Sequence, residues 1–234
     1  VNRFILNRTG WVQVGSAVLL VIIAVIALVT TDGEPMLQRW VGFMFLGLLA
    51  AYLYVTYLWA KQGSDLSVEE EVSEHELMSL SKSWTLVIGG LVMVIIGARI
   101  LVPSASEIAM RFGVPDDVIA ATMVAFGTSL PELMTAIAAI RKGHPEITVG
   151  NIVGADVLNV LFVIGAAAAA VPLAIPPNFF YFHFPAMLII LFSFRVFISM
   201  NREGVFHRWQ GAWLLGVYIT YVVLQYALNI GAAH

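Results

Sequence analysis

A glutamate and a proline interrupt an apolar segment that is otherwise long enough to cross a membrane. The segment runs from about residue 118 to residue 140 and contains Ala-Phe-Gly-Thr-Ser-Leu-Pro-Glu at residues 125–132. A lone charged side chain at membrane depth costs roughly 2.5–3.5 kcal/mol, so such a residue normally has a partner or lines an aqueous pathway. The segment therefore predicts a membrane-spanning helix that presents its polar groups to a ligand or to other helices.

The composition agrees with a membrane location. Of the 234 residues, 60% are hydrophobic and only 12% are charged. These values exclude an ordinary soluble domain and predict an all-α, polytopic membrane protein. The cations lie mainly in predicted loops, so nothing indicates a nucleic-acid partner. Because the chain has no cysteine, it can form neither disulfides nor thiolate metal sites.

Hydrophobic stretches predict seven transmembrane helices, at about residues 11–31, 40–60, 84–110, 116–141, 147–171, 179–200 and 208–229. The third would measure roughly 40 Å against a hydrocarbon core about 30 Å thick, so we expect it to tilt. The acidic stretch 61–83 is predicted to be a solvated cytoplasmic linker. It divides the chain into a two-span part, residues 1–60, and a five-span part, residues 84–234.

The loop charges predict the orientation in a cell (plasma or inner) membrane. The positive-inside rule places the loops that are rich in lysine and arginine in the cytoplasm, so the N-terminus of the chain is predicted to be cytoplasmic and the C-terminus outside. Two cations, Arg39 and Arg111, lie in the loops opposite the N-terminus. Eight lie on the side of the N-terminus: Arg3, Arg8, Lys61, Lys82, Arg141, Lys142, Arg202 and Arg208.

The polar residues of the interrupted span are predicted to converge on one helix face. Pro131 cannot donate to the carbonyl of Gly127, and Thr128 and Ser129 stand four and three residues before Glu132. A carboxylate, two hydroxyls and loosened carbonyls suit sodium or calcium and are poor ligands for zinc or copper. The alternative is a kinked packing helix whose glutamate pairs with an arginine. The convergence on one face favours an ion site.

A second polar motif, Gly-Asn-Ile-Val-Gly-Ala-Asp-Val-Leu-Asn, occupies residues 150–159 of the next span. Asn151, Ala155 and Asn159 share one helical stripe, on which Asn159 would be a good neutral cation ligand. Gly150 and Gly154 would let another backbone come close, so helix packing with cross-helix asparagine bonds is an equal alternative.

Asp156 lies about 100° around the helix from Ala155. Its spacing leaves three roles open. It is a second ion ligand, a proton acceptor, or a carboxylate paired with backbone or with Arg99.

An internal repeat predicts an inverted architecture. The pattern Arg-Trp-x-Gly, followed by Leu-Gly and Tyr, begins at Arg39 and again at Arg208, an offset of 169 residues. An odd number of spans separates the copies, so they are inverted, as in many secondary transporters. The counterpart of Glu132 would precede residue 1. We therefore expect a missing N-terminal half of about three spans, or an oligomer partner, to complete the site, and we expect no transport by the chain alone.

Together the two motifs resemble the second alpha repeat of the sodium/calcium exchanger family, within the cation/calcium antiporter superfamily. The resemblance extends from about residue 84 to the C-terminus, and the first two spans resemble the fourth and fifth helices of the family. It implies that the seven spans correspond to helices 4–10 of a ten-helix, inverted-repeat exchanger with alternating access. The implied activity is exchange of calcium for sodium, with potassium co-transport or proton coupling in some branches, and no cofactor.

Carried over by motif position, the resemblance implies that Glu132 is the chief carboxylate ligand. Thr128 and Ser129 would supply hydroxyls, Ala125 a backbone carbonyl and Asn159 an amide oxygen. The chain departs from the family pattern at residues 155 and 156, where alanine and aspartate stand in place of serine and asparagine.

Other functions have less support in the sequence. A proton-coupled or potassium-dependent calcium/cation antiporter is the nearest alternative, and a cation channel is a more distant one. An intramembrane enzyme is not predicted, because no serine–lysine, serine–histidine or paired-aspartate arrangement occurs at a plausible depth.

Overall fold

The computed structural model describes residues 3–31, 33–64, 79–114, 116–200 and 206–228, which are almost entirely helical. The predicted all-α class is confirmed. Most of the acidic linker, residues 65–78, lies outside the described residues. The α-helices are α1 Arg3–Thr30, α2 Arg39–Ser64, α3 Leu80–Arg111, α4 Asp116–Ile119, α5 Ala125–Thr128, α6 Leu130–Arg141, α7 Pro145–Leu158, α8 Gly165–Ala170, α9 Phe184–Met200 and α10 Arg208–Ala227.

The described residues also contain three π-helical segments and one short strand pair. The π-helical segments are Ala120–Val124, Asn159–Ile164 and Phe179–His183. Strands β1, Met36–Leu37, and β2, Leu173–Ala174, pair antiparallel, so the chain before α2 is fixed to the chain after α8. One π-helical segment ends directly before the first predicted ion motif, and another begins at Asn159, the last residue of the second motif. Single π-helical turns inside α-helices occur frequently at functional sites.

Five helical stretches of the described chain are long and apolar enough to cross a membrane: Arg8–Thr30, Arg39–Trp59, Ser81–Arg111, Ile147–Ala170 and Phe179–Met200. A sixth consists of Thr122–Thr128 and Leu130–Arg141, which meet at an angle of 55°. The predicted seventh span corresponds to α10. Its 20 residues give the required length, but glutamines and aromatic residues leave it below the apolarity of the other spans.

The core lies between α1, α2 and the α7–α8 region, where Val41, Phe45 and Val157 are fully buried. A Cβ added to Gly42 of α2 would lie 2.2 Å from the backbone nitrogen of Ala169. Only glycine at position 42 allows the two helices to approach this closely. The alanine-rich α8 is therefore the close-packing partner of α2.

Helix ends agree with the internal repeat. Helix α2 begins at Arg39 and α10 begins at Arg208, so the offset of 169 residues in the sequence is also the offset between two helix starts. The backbone N–H of His207 donates to Oε1 of Gln210, which caps the start of α10.

Helix α3 stands apart from the core. Over its 32 residues it would extend about 48 Å, longer than the 27-residue span predicted from the sequence. None of the residues in its most apolar window is buried, and it contains Pro103 in its interior. Gly113, at φ +75°, turns the chain after α3 towards the segment that holds the first polar motif.

Candidate ion-binding site

The interrupted span is a true break between two helices. Helix α5 ends at Thr128, α6 begins at Leu130, and Ser129 joins them with φ −92° and ψ 4°. Pro131 occupies the first turn of α6, where its missing N–H removes no helical hydrogen bond. The predicted proline-induced distortion is therefore a bend of 55° that opens the backbone beside the polar side chains.

The Thr128 hydroxyl and the Ser129 backbone both donate to the carbonyl of Ala125. Oγ1 of Thr128 donates to the carbonyl of Ala125 at 2.9 Å, and the backbone N–H of Ser129 donates to the same oxygen at 3.1 Å. The carbonyl of Ala125 thus already accepts two hydrogen bonds, which matches the number of its lone pairs. The side chains of Thr128 and Ser129 are exposed on the described chain.

Glu132 lies in the first turn of α6 and is half-buried. Its Oε2 is fully buried and has no hydrogen-bond partner among the described residues. The ion pair found in the described part of the chain joins Arg111 and Glu107 on α3, so no described arginine neutralises Glu132. The alternative of an arginine-paired packing glutamate is therefore not realised in the described chain.

Helix α7 lies beside α6 and contacts the backbone of the break. Nδ2 of Asn151 donates to the carbonyl of Glu132 at 3.4 Å, and Oγ1 of Thr148 donates to the carbonyl of Ala136 at 3.3 Å. Sequence reasoning placed Asn151 on the ion-facing stripe without giving it a role. The structure makes it the link between the two motifs, a cross-helix asparagine bond of the kind that the packing alternative describes.

Asn159 is the first residue of a π-helical segment, and its side chain is exposed. No atom of the described residues lies within 4 Å of a Cβ built on Gly154, so the described chain supplies no close approach there. The close approach at the site is at Gly127 instead. A Cβ on Gly127 would lie 1.9 Å from Cγ2 of Val102, which places α3 directly against the broken helix.

Asp156 contacts α1. Its carboxylate accepts a hydrogen bond from the side-chain amide of Gln13 on α1. Of the alternatives left open by the sequence, a paired carboxylate agrees with this contact, but the partner is a glutamine that the sequence pattern did not indicate. Arg99, the partner considered from sequence, is exposed on α3.

The donor set at the break consists of oxygen atoms. No cluster of three or more histidine, cysteine, aspartate or glutamate side chains occurs among the described residues. A cation at the break would therefore be held by the Glu132 carboxylate together with hydroxyl, amide or carbonyl oxygens. Such a set fits hard cations such as sodium or calcium.

The fold is that of a polytopic helical membrane protein, and a broken membrane span beside a binding site is typical of secondary transporters. Residues 82–227 match the family described as "Sodium/calcium exchanger protein". The chain belongs to the sodium/calcium exchanger family.

Relatives extend this comparison. The chain is 34% identical over 133 residues to the sodium/calcium exchanger MaX1 of Methanosarcina acetivorans, covering 57% of this chain and 37% of MaX1. It is 30% identical over 218 residues to the inner membrane protein YrbG of Escherichia coli, covering 90% of this chain and 66% of YrbG. The chain thus spans between about a third and two thirds of the length of these relatives.

The fold resembles a solved exchanger. The sodium/calcium exchanger from Methanococcus jannaschii superposes with a TM-score of 0.64 at 25% sequence identity, covering 94% of this chain and 64% of the other. The likeness therefore extends over nearly all of the present chain.

Proposed function

We propose that the chain is part of a secondary active antiporter that exchanges calcium for sodium across a cell membrane by alternating access. The observation that carries the proposal is the buried Oε2 of Glu132, which lies at a break between two helices and has no hydrogen-bond partner in the described part of the chain. An unpartnered carboxylate oxygen in a membrane span is costly unless a cation binds it. The names of the relatives add support, because MaX1 and the M. jannaschii protein are called sodium/calcium exchangers.

In this proposal Glu132 supplies the charge and Thr128, Ser129 and Asn159 supply neutral oxygens. The carbonyl of Ala125 contributes when the Thr128 hydroxyl turns from it towards the ion, since at present the hydroxyl donates to that carbonyl. Calcium prefers six to eight oxygen ligands, whereas sodium requires less charge. Competition between the two ions for one carboxylate is the basis of exchange.

Binding neutralises the site and permits the conformational change. Helix α3 contacts the broken helix at Gly127 and has little other burial, so it is the element best placed to move against the break. The N-terminus of the chain is cytoplasmic in this proposal, as the loop charges predict.

We further propose that helices from elsewhere in the functional protein cover the open side of the site. The support comes from the internal repeat. Gly42 of α2 packs against Ala169 and Gly165 of α8, whereas its repeat counterpart Gly211 of α10 has no atom of the described residues within 4 Å of its Cβ position. A helix equivalent to α8 from the inverted half would pack there. The same half would bring a second carboxylate towards Glu132 and approach the charge that calcium requires.

Replacement of Glu132 by glutamine tests the function. Glu132→Gln keeps the shape and removes the charge, so we expect calcium exchange in vesicles to fall tenfold or more, an order-of-magnitude figure for loss of a charged ligand. Glu107→Gln is the matched control, because Glu107 is an exposed carboxylate paired with Arg111 on α3. Both variants should insert and fold normally. Normal exchange by a well-folded Glu132→Gln would refute the assignment.

A further inference from the structure

Gln13 and Asp156, which are 143 residues apart in the sequence, form a polar contact between two helices. The side-chain amide of Gln13 on α1 donates to Oδ2 of Asp156 on α7. Gln13 is only 1% exposed, and its backbone carbonyl accepts a hydrogen bond from Oγ of Ser16 at 2.9 Å. The contact therefore lies inside the helical bundle and not at its surface.

The contact is on a different face of α7 from the one that Asn151 presents to α6. Asn151 points to α6, where its amide donates to the carbonyl of Glu132. Asp156 follows five residues later, which is about 140° around the helix axis. Helix α7 is thus bonded to α6 through Asn151 and to α1 through Asp156, and two bonds about 140° apart restrict its rotation about its own axis.

We propose that Gln13 and Asp156 are positioning residues that fix the rotation of α7, and that Asp156 is not an ion ligand. The inference rests on the proposed function, because the rotation matters through the stripe of Asn151, Ala155 and Asn159 that α7 presents beside Glu132. If α7 turned by one residue position, about 100°, that stripe would no longer face the break.

The membrane makes this bond a strong constraint on rotation. Within hydrocarbon no water replaces a lost hydrogen bond, so turning α7 would leave an amide and a carboxylate unpaired. Oε1 of Gln13 is already buried without a hydrogen-bond partner among the described residues, so the amide has no second bond there to retain it. The Asp156 contact is the one that orients this side chain.

The pair predicts different outcomes for conservative and disruptive changes. Asp156→Asn keeps a hydrogen-bonding group, because the new amide can donate to the unpartnered Oε1 of Gln13. Gln13→Met and Asp156→Leu remove the bond while approximately retaining volume. Cross-helix bonds in membranes correspond to roughly threefold to twentyfold in an equilibrium constant.

Calcium flux of the full functional protein in vesicles is the first measurement. Asp156→Asn should transport like the parent, whereas Gln13→Met and Asp156→Leu should each raise the half-saturating calcium concentration about threefold to twentyfold. The double variant should resemble either single variant, because both remove the same bond. Gln13→Glu alone should impair transport, because two carboxylates then face each other. Adding Asp156→Asn should restore transport, since the amide and the carboxylate have then exchanged helices.

Thiol labelling is the second measurement, and it is independent of transport. The chain has no cysteine, so Ala155→Cys introduces a single thiol into it, and labelling measured on this chain reports how α7 presents its stripe. Its labelling rate should change in Gln13→Met and stay unchanged in Asp156→Asn. If the parent transported no calcium while this pattern held, the proposed function would fail and the positioning role would stand.

The opposite pattern would overturn the inference. Loss of transport in Asp156→Asn together with normal transport in Gln13→Met would make Asp156 an ion ligand. Multiplicative effects in the double variant, no rescue by the exchanged pair, or unchanged labelling in Gln13→Met would each show that the contact does not set the rotation.

Discussion

The energetics of Glu132 support the proposal that a cation binds at the break. The partial positive charge at a helix N-terminus stabilises a nearby carboxylate by about 0.3–1 kcal/mol, and by up to about 2 kcal/mol when partly buried. Glu132 occupies that place in the first turn of α6. A charge at membrane depth costs roughly 2.5–3.5 kcal/mol, so the helix terminus alone does not compensate for it. The unpartnered Oε2 is where the remaining stabilisation has to come from.

Thr128 and Thr135 provide a matched pair of hydroxyls for the ligand assignment. Each donates to a carbonyl of its own chain segment, Thr128 to Ala125 at 2.9 Å and Thr135 to Pro131 at 2.8 Å, and both are exposed. Only Thr128 lies at the break. Thr128→Val should weaken calcium binding about threefold to tenfold, as expected for a neutral ligand, and Thr135→Val should not. Equal effects on the calcium dependence of flux would remove Thr128 from the site.

The sequence was sufficient to locate the carboxylate and the hydroxyls, because their spacing around Pro131 depends only on local helix geometry. It was not sufficient for Asp156 or Asn151. Which side chain meets Asp156 depends on how α1 packs against α7, and residues 143 positions apart leave no local signal. The ligand roles themselves remain predictions.

At the scale of elements, the break depends on a close approach between α3 and α5. Gly127 is buried, and the space for a Cβ is filled by Val102. The absence of a side chain at Gly127 thus lets α3 pack closely against the broken helix. The sequence predicted a loosened carbonyl at this position, but the contact with α3 could not be read from it because it links two separate spans.

Gly127→Ala tests this contact. The added methyl should overpack the interface and destabilise the protein by about 1–3 kcal/mol, with reduced exchange. Val102→Ala removes the methyl groups that the Cβ of Gly127→Ala would meet. The variant with both changes should therefore recover stability and exchange. Gly97→Ala on α3 is the control, because nothing lies within 4 Å of its Cβ position. Thermal unfolding in detergent and vesicle flux measure the two effects. A Gly127→Ala protein as stable and active as the parent would mean that α3 is not held against the break.

At the scale of the whole molecule, the internal repeat relates α2 to α10, whose surroundings differ. Sequence periodicity predicted helices at nearly the observed places, because apolar length decides which segments cross a membrane. The offset of 169 residues correctly paired the starts of α2 and α10. Periodicity could not distinguish Gly42, which is tightly packed, from Gly211, which is open, since that difference depends on the presence of a neighbouring helix.

The central claim is counter-ion-driven exchange at Glu132, and calcium flux under imposed gradients tests it most directly. The protein would be isolated through a tag on this chain from its native membrane, so that any further helices are retained, and placed in vesicles. An outward sodium gradient should drive calcium uptake, an equal potassium or proton gradient should drive little, and Glu132→Gln should abolish the sodium-driven component. Calcium uptake that is independent of every counter-ion gradient, or that persists in Glu132→Gln, would contradict the account.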